Sequence, residues 1–392
     1  MGADVTSEVL IVGLGAMGSQ TLLELARRGV RVVGLDRGHP PHDLGSSHGR
    51  SRIIREAYFE DPLYVPLVQR AYARWQAQEA ASGESLLRVT GGLALGPARS
   101  TLVVGATASA ERHGLACERL DADAIRRRFP AHVIPDDWVG LLEPRAGMLD
   151  PERCIATALR LATAHGAELH LGETVARWTE HADHVEVRTD RGVYRADRVI
   201  LSAGMWMRQL VPALRPHLTV ERQVQFWFAP RAQAPQFDPE RFPVFLSEVA
   251  PGRLWYGFPD VGDGVKVAWH HGAPDDDAAH VTDDADGAPA PHRTVSTAEV
   301  DAMRTHLATH LPEAAGALRA TSVCTYTNTP DEHFLLDRAP DTERVWIASP
   351  CSGHGFKFAP ALGEVLADLV LGTAPAFDLT PFRRSRLGGA RE

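Results

Sequence analysis

The 392-residue chain reads as an α/β protein: a Rossmann-like dinucleotide-binding domain built from discontinuous segments, plus a mixed-sheet α+β second domain. Three observations predict this. A strand runs straight into a complete GxGxxG, then a helix, then a second strand ending in an acid. Strands of the same apolar kind recur near 168–201 and 345–348. The stretches between them, about 90–150 and 216–320, lack that order and are expected to form the second domain. The expected division is 1–90, 150–215 and 321–392 for the nucleotide unit, with 91–149 and 216–320 for the other.

Each element has its own reason. Residues 8–12 close on four apolar residues, the pattern of a parallel strand buried on both faces. Gly13-Leu14-Gly15-Ala16-Met17-Gly18 follows at once. Residues 17–28 carry Leu22, Leu25 and Ala26 on one stripe, which predicts a helix stopped by Gly29. A second strand over 30–35 ends at Asp36, 21 residues beyond Gly15. Glycines in such a turn let the backbone approach a pyrophosphate at the helix N-terminus. The terminal acid accepts hydrogen bonds from a ribose diol. That acid disfavours NADP and leaves NAD and FAD open. Downstream, a helix over about 151–165 leads to a strand at 168–171 and to Glu173-Thr174-Val175. Residues 185–188 and 192–195 predict a hairpin, and 198–203 an apolar strand that breaks at Gly204. A last strand at 345–348 leads to Ser352-Gly353-His354-Gly355 and a helix over about 360–371. A nucleotide unit interrupted twice suits an FAD-binding oxidoreductase better than a simple nicotinamide dehydrogenase.

Composition narrows the partners. A net charge of −9 with no basic run argues against nucleic acid and against an anionic membrane surface. No apolar stretch approaches the roughly 18 residues of a spanning helix. The first strand starts within ten residues of Met1, which predicts no signal peptide and a cytoplasmic address. Cys117, Cys154, Cys324 and Cys351 form no CxxC pair, so neither a zinc site nor a disulfide is expected. The acidic segment 273–291 lacks the ligand spacing of a calcium loop, so no metal is expected there either. Of 41 basic residues only Lys266 and Lys357 are lysine. A lysine retained in so arginine-rich a chain points to a task for a compact ammonium that a planar guanidinium does not perform.

Further motifs carry a resemblance. They are Gly45-Ser46-Ser47-His48-Gly49-Arg50-Ser51-Arg52-Ile53-Ile54-Arg55, then Tyr256-Gly257-Phe258-Pro259, then Cys324-Thr325-Tyr326-Thr327 with Asp331-Glu332-His333-Phe334, and finally Ser352-Gly353-His354-Gly355-Phe356-Lys357-Phe358. With the front strand–turn–helix–strand unit they span nearly the whole chain. Together they resemble the monomeric sarcosine oxidase and N-methyltryptophan oxidase family of FAD-dependent amine oxidases.

The resemblance implies an FAD held covalently through its 8α-methyl group by Cys324, a thiolate being the nucleophile such a bond requires. It implies that Arg55 and Lys357 hold a substrate carboxylate, the guanidinium bidentately and the ammonium as a point charge. Lys266 falls on the family lysine near the flavin's reactive edge, where positive charge favours reduction of O2. His270, on the same strand face as Lys266, falls with Tyr326 on the substrate pocket. Ser46, His48 and Arg52 fall on the flavin-facing loop. With Gly13, Gly15, Gly18, Asp36, Val175, Gly204, Gly353 and Gly355 they complete the expected cofactor contacts. Asn328 reads equally as a turn residue or a cofactor contact.

Some positions depart from the family pattern. Ser47 and Arg50 stand where a histidine and an aspartate are usual, Trp269 replaces a tyrosine, and Ser349-Pro350-Cys351 replaces an Ala/Gly-Gly-Phe sequence. The last change lies beside the pocket segment and bears on which substrate fits rather than on the reaction. Trp227, Trp255 and Trp269 hint at an aromatic-lined cavity and fit a core as well. What the resemblance implies is a monomeric FAD-dependent oxidase of a secondary α-amino acid, N-methylated or cyclic, with O2 reduced to hydrogen peroxide. Three other readings stay open: a flavin dehydrogenase passing electrons to a partner, a tailoring oxidase of natural-product biosynthesis, and a non-catalytic FAD-binding regulatory protein. The joint presence of Arg55, Lys266, Cys324 and Lys357 argues against the last.

Overall fold

The computed structural model describes residues 5–231, 235–272, 281–283 and 288–388. Two eight-stranded sheets and one three-stranded sheet frame it. In the first sheet Val5–Val12 lies between Val32–Asp36 and Val193–Leu201, parallel to both. Its residues Val9, Leu10, Ile11 and Val12 are buried on both faces, which is why they read as a continuous apolar run. Glu168–Leu171 adds in parallel beyond Val32–Asp36. Val193–Leu201 divides its outer edge. Its first residues take the antiparallel arm Val185–Thr189, itself paired with Val175–Glu180, and its last take Val345–Ser349 in parallel. Three separated pieces of chain therefore share one ladder.

Helices Ala16–Arg27, Pro151–Ala164 and Ala359–Leu371 pack on one face of this sheet. The helix Pro151–Ala164 starts cleanly because Asp150 accepts the Arg153 N–H and Pro151 needs no donor. The opposite face is covered by the Val175–Thr189 arm and by Met207, Leu210 and Leu214.

The second sheet runs Leu318–Asn328, Thr219–Phe228, Val265–His270, Arg253–Phe258, Val244–Ala250, Gly92–Pro97, Trp138–Glu143, Glu118–Asp121. The helix Thr297–His310, opened by a Ser296/Glu299 capping box, seals one face with Val300, Met303 and Leu307. The small sheet Arg52–Ile54, Gly147–Leu149, Leu87–Val89 stands beside it. Among the described residues no helix is long and apolar enough to cross a membrane.

One boundary differs from expectation. The sequence pattern places residues from 321 onward in the nucleotide unit, yet Leu318–Asn328 belongs to the second sheet and is laddered along its length to Thr219–Phe228. The chain re-enters the first sheet only at Leu335. The physical reason is backbone pairing: the ladder takes the whole strand, and residue identity carries no mark of which partner it meets. Much of the acidic segment, 273–280 and 284–287, lies outside the described residues.

Candidate active site

A single cleft runs from the carboxyl ends of the parallel strands to the inner side of the second sheet. Gly13, Gly15, Asp36, Val175 and Gly204 line it toward the first sheet, and Ser46 and Arg52 line it from the connecting loop. Arg55, His270, Tyr326, Gly353, Gly355 and Lys357 line it toward the second. The location follows the rule that open parallel sheets bind ligands beyond their strand ends.

The glycine turn is tight enough to exclude side chains. Gly13 has φ 91°, and a Cβ there would lie 2.6 Å from the Ser202 carbonyl oxygen. A Cβ on Gly18 would lie 1.8 Å from the Gly13 oxygen. Gly15 caps the helix Ala16–Arg27 without a side-chain bond, and the first turn holds no acid. The positive end of the helix therefore faces the cleft, as an anionic pyrophosphate requires. Asp36 accepts the Leu14 N–H at 2.7 Å and the Gly38 N–H at 2.8 Å, with His42 Nε2 at 3.1 Å. Burial alone would raise its pKa, but the His42 contact and the two amides hold it below the usual carboxylate range. A buried anion with spare lone pairs at this strand end suits a ribose diol. The residues present fit the adenosine and pyrophosphate of FAD.

Buried charge dominates the other side. Arg55 directs Nη2 to both Glu60 oxygens at 2.7 Å and Nη1 to the Ala57 carbonyl at 3.0 Å. The rings of Tyr58 and Phe59 lie 4.3 and 4.9 Å from its Cζ. Lys357 donates to the His354 carbonyl at 2.7 Å and to Tyr58 Oη at 3.3 Å. Burial lowers its pKa to about 7, with Arg55 pushing the same way and Glu60 opposing. Arg55, Glu60 and protonated Lys357 together leave one positive charge among largely buried side chains. One carboxylate neutralises it.

His270 is driven well below its ordinary pKa by burial, then by neighbouring His271, so its imidazole is neutral. Its ring centroid stands 5.9 Å from that of Tyr326 and 6.4 Å from that of Tyr256. Gly353 closes the group, since a Cβ there would come within 2.7 Å of the Tyr326 ring and 3.0 Å of His270.

Four expected residues do not line the cleft. Gly18 serves the turn from within. His48 is buried, its pKa lowered to about 4 by burial and then by Arg52, with Nδ1 3.3 Å from Ser322 Oγ. Lys266 is 2% exposed and spans the Gly49 and Ser51 carbonyls at 2.6 and 2.9 Å. Burial, then Arg52, lowers its pKa far below the ordinary value. Cys324 is 1% exposed behind Gln225, whose Nε2 lies 3.2 Å from its sulfur; the cysteine on the cleft wall is Cys351. Asn328 holds Glu221 through Nδ2 at 2.7 Å. Trp227 and Trp255 are buried and Trp269 is half-buried: Trp255 and Trp269 pack on His306, Trp227 beside Lys266, and none of the three lines the cleft.

Sequence reasoning missed Glu60, Tyr58 and Gln225. An acid five residues after an arginine is a common surface pattern, and only the folded chain, bent at 56–57 and 59–60, shows Glu60 back on Arg55. Tyr256 stood inside a quoted motif without a role, although it lines the cleft.

Comparison with known proteins covers nearly the whole chain. The family profile described as FAD dependent oxidoreductase (DAO) matches residues 8–369. The chain is 40% identical over 389 residues to a monomeric sarcosine oxidase of Streptomyces avermitilis, covering 98% of this chain and 99% of that one. It is 38% identical over 384 residues to an N-methyl-L-tryptophan oxidase of Salmonella typhimurium, covering 97% and 98%. The open form of NikD, an amino acid oxidase essential for nikkomycin biosynthesis, superposes with a TM-score of 0.80 at 26% identity, covering 97% of each chain.

Proposed function

The chain belongs to the FAD-dependent oxidoreductases, in the group of the monomeric sarcosine and N-methyltryptophan oxidases, and on that premise we propose that it oxidises a secondary α-amino acid, N-methylated or cyclic, to an imine. The observation that carries the reading is the pair Arg55 and Lys357. They share a cleft with the glycine turn and Asp36, and one positive charge is left over for a carboxylate.

FAD, when bound, supplies the two-electron acceptor for the amine and passes those electrons to O2, giving hydrogen peroxide. The protein supplies position and charge. Arg55 keeps Glu60 as its standing partner, so Lys357 carries the attraction that the substrate carboxylate satisfies. Neutral His270 accepts a hydrogen bond from the amine N–H without repelling it, and Tyr256 and Tyr326 wall the site against water. Gly13, Gly15, Gly18 and Asp36 hold the nucleotide half, and Ser46, His48, Arg52, Val175, Gly204, Gly353 and Gly355 shape the remainder. Lys266, desolvated and bonded to two carbonyls, is suited to take up a proton as negative charge develops beside it during O2 reduction. Cys324 is the assigned covalent attachment point. A monomer working in the cytoplasm completes the reading.

Acid precipitation of the purified protein tests the attachment. Flavin in the pellet, lost to the supernatant in Cys324→Ala, supports it; release from the unaltered protein removes it. A peroxide assay across N-methyl and cyclic amino acids tests the reaction. Amine-dependent flavin reduction without peroxide in air would replace the oxidase by a dehydrogenase.

A further inference from the structure

Tyr58 touches both cations assigned to the carboxylate, yet it is fully buried and does not line the cleft. Its ring face lies 4.3 Å from Arg55 Cζ, and its hydroxyl oxygen lies 3.3 Å from Lys357 Nζ. The hydroxyl also lies 2.6 Å from His354 Nδ1, whose ring offers Nε2 to the Glu332 carbonyl at 3.0 Å.

Those contacts leave one arrangement of protons. A carbonyl only accepts, so His354 Nε2 carries the hydrogen. Burial drives His354 to a pKa of about 3, so near neutrality its Nδ1 is bare and accepts. Tyr58, whose own pKa is raised by burial, must then give its proton to Nδ1. Its oxygen has only lone pairs left for Lys357. Two of the three ammonium hydrogens are thereby taken, by the His354 carbonyl and by Tyr58, and the third is free for the cleft.

We propose that Tyr58 is a positioning residue: its ring fixes Arg55 and its hydroxyl, oriented by His354, fixes the Lys357 ammonium that receives the substrate carboxylate. The inference rests on the carboxylate role given to Arg55 and Lys357 above. The charged or titratable groups around the ammonium are Arg55 and Glu60 after the strand Arg52–Ile54, Tyr58 between them in the chain, His270 on the strand Val265–His270, and His354 on its own loop. His270 and His354 stay neutral, and Glu60 stays with Arg55, so Tyr58 is the group whose loss acts on Lys357 directly.

The test uses flavin-loaded protein titrated with methoxyacetate, a carboxylate with no oxidisable amine, followed by the flavin absorbance across pH. Tyr58→Phe keeps the ring on Arg55 and removes only the acceptor. It should raise the methoxyacetate Kd about tenfold or more, the scale of a hydrogen bond to a charged group. It should also move the alkaline limb of binding down by about one pH unit, because the protonated lysine loses a partner. Added to Lys357→Met, it should change the Kd no further. An unchanged limb, or equal weakening with and without Lys357, overturns the proposal and leaves a merely structural tyrosine. Site-specific 3-fluorotyrosine at position 58, which weakens the acceptor at nearly constant shape, should shift the limb the same way by less. It decides the matter if Tyr58→Phe does not fold. Unaltered protein that reduces its flavin with amines but ignores methoxyacetate would instead remove the carboxylate role itself.

Discussion

The two sides of the cleft are built by different means. Toward the first sheet it is mostly backbone: a glycine turn, a helix end capped by a glycine, and Asp36 held by two amide N–H groups. Toward the second sheet it is mostly buried charged side chains, with Arg55 bonded to Glu60 and Lys357 to the His354 carbonyl and the Tyr58 hydroxyl. A backbone site is rigid and tolerates no added atom. A buried-charge site is adjustable, and its strength follows protonation. The difference teaches where each side should fail: the first by steric exclusion, the second by pH and by loss of single charges.

The harshest way to sharpen the contrast is Gly18→Ala. One methyl would have to share space with the Gly13 oxygen, 1.8 Å away. Retained flavin should fall to undetectable levels by absorbance while circular dichroism still reports a folded chain. A yellow Gly18→Ala protein would show that the turn can yield and that the backbone side is not rigid.

Lys266→Met comes next. Removing a preorganised electrostatic group costs about 10²–10³ in rate in comparable sites. The loss should fall on reoxidation by O2 in stopped flow, with anaerobic flavin reduction by substrate nearly unchanged. Equal losses in both half-reactions would refute the assignment.

Lys357→Met should raise KM by about 10- to 100-fold, the range for a charge-assisted hydrogen bond, with a smaller effect on kcat. The same residue sets a pH dependence. Its folded pKa of about 7 lies below the ordinary lysine value, and in the proposed function it is the protonated form that binds the carboxylate. KM should therefore be flat below pH 7 and rise about tenfold per unit above it. A carboxylate in place favours the ammonium, so kcat should hold to higher pH. A KM that stays flat to pH 9 would break the account of the buried-charge side.

The smallest effect belongs to Arg50→Ala. Its bridge to Asp263 spans 3.2 Å between side chains that are each about half exposed. Such pairs contribute about 0–1 kcal/mol and are screened by salt. The melting temperature should move by about a degree or two at most.

The two sides also differ in how far they were legible in the chain. The glycine turn and Asp36 could be read because local spacing specifies them: strand, turn, helix and acid follow within 40 residues. Lys266 and Lys357 stood out by rarity, and both are buried, yet rarity could not say that Lys266 lies behind the cleft wall. Cys324 was identified by its motif, whereas its place behind Gln225 depends on the strand it pairs with, about 100 residues earlier. The tryptophans misled for the converse reason. Large apolar rings mark packing, and the fold placed them against the helix Thr297–His310 or in the sheet rather than in the cleft.

By itself, then, the sequence determined the glycine turn, the interrupted first sheet, the set of cationic residues and the family. Each of these is written in local periodicity, in spacing or in motif. Tertiary structure alone decided that Leu318–Asn328 joins the second sheet, that Glu60 holds Arg55, and that Tyr58 stands between Arg55 and Lys357. Those facts depend on which distant segments share a desolvated space. Desolvation also drives the lowered pKa values of Lys266, His270, His354 and Lys357, and no residue carries in its own identity how much water its neighbours will exclude.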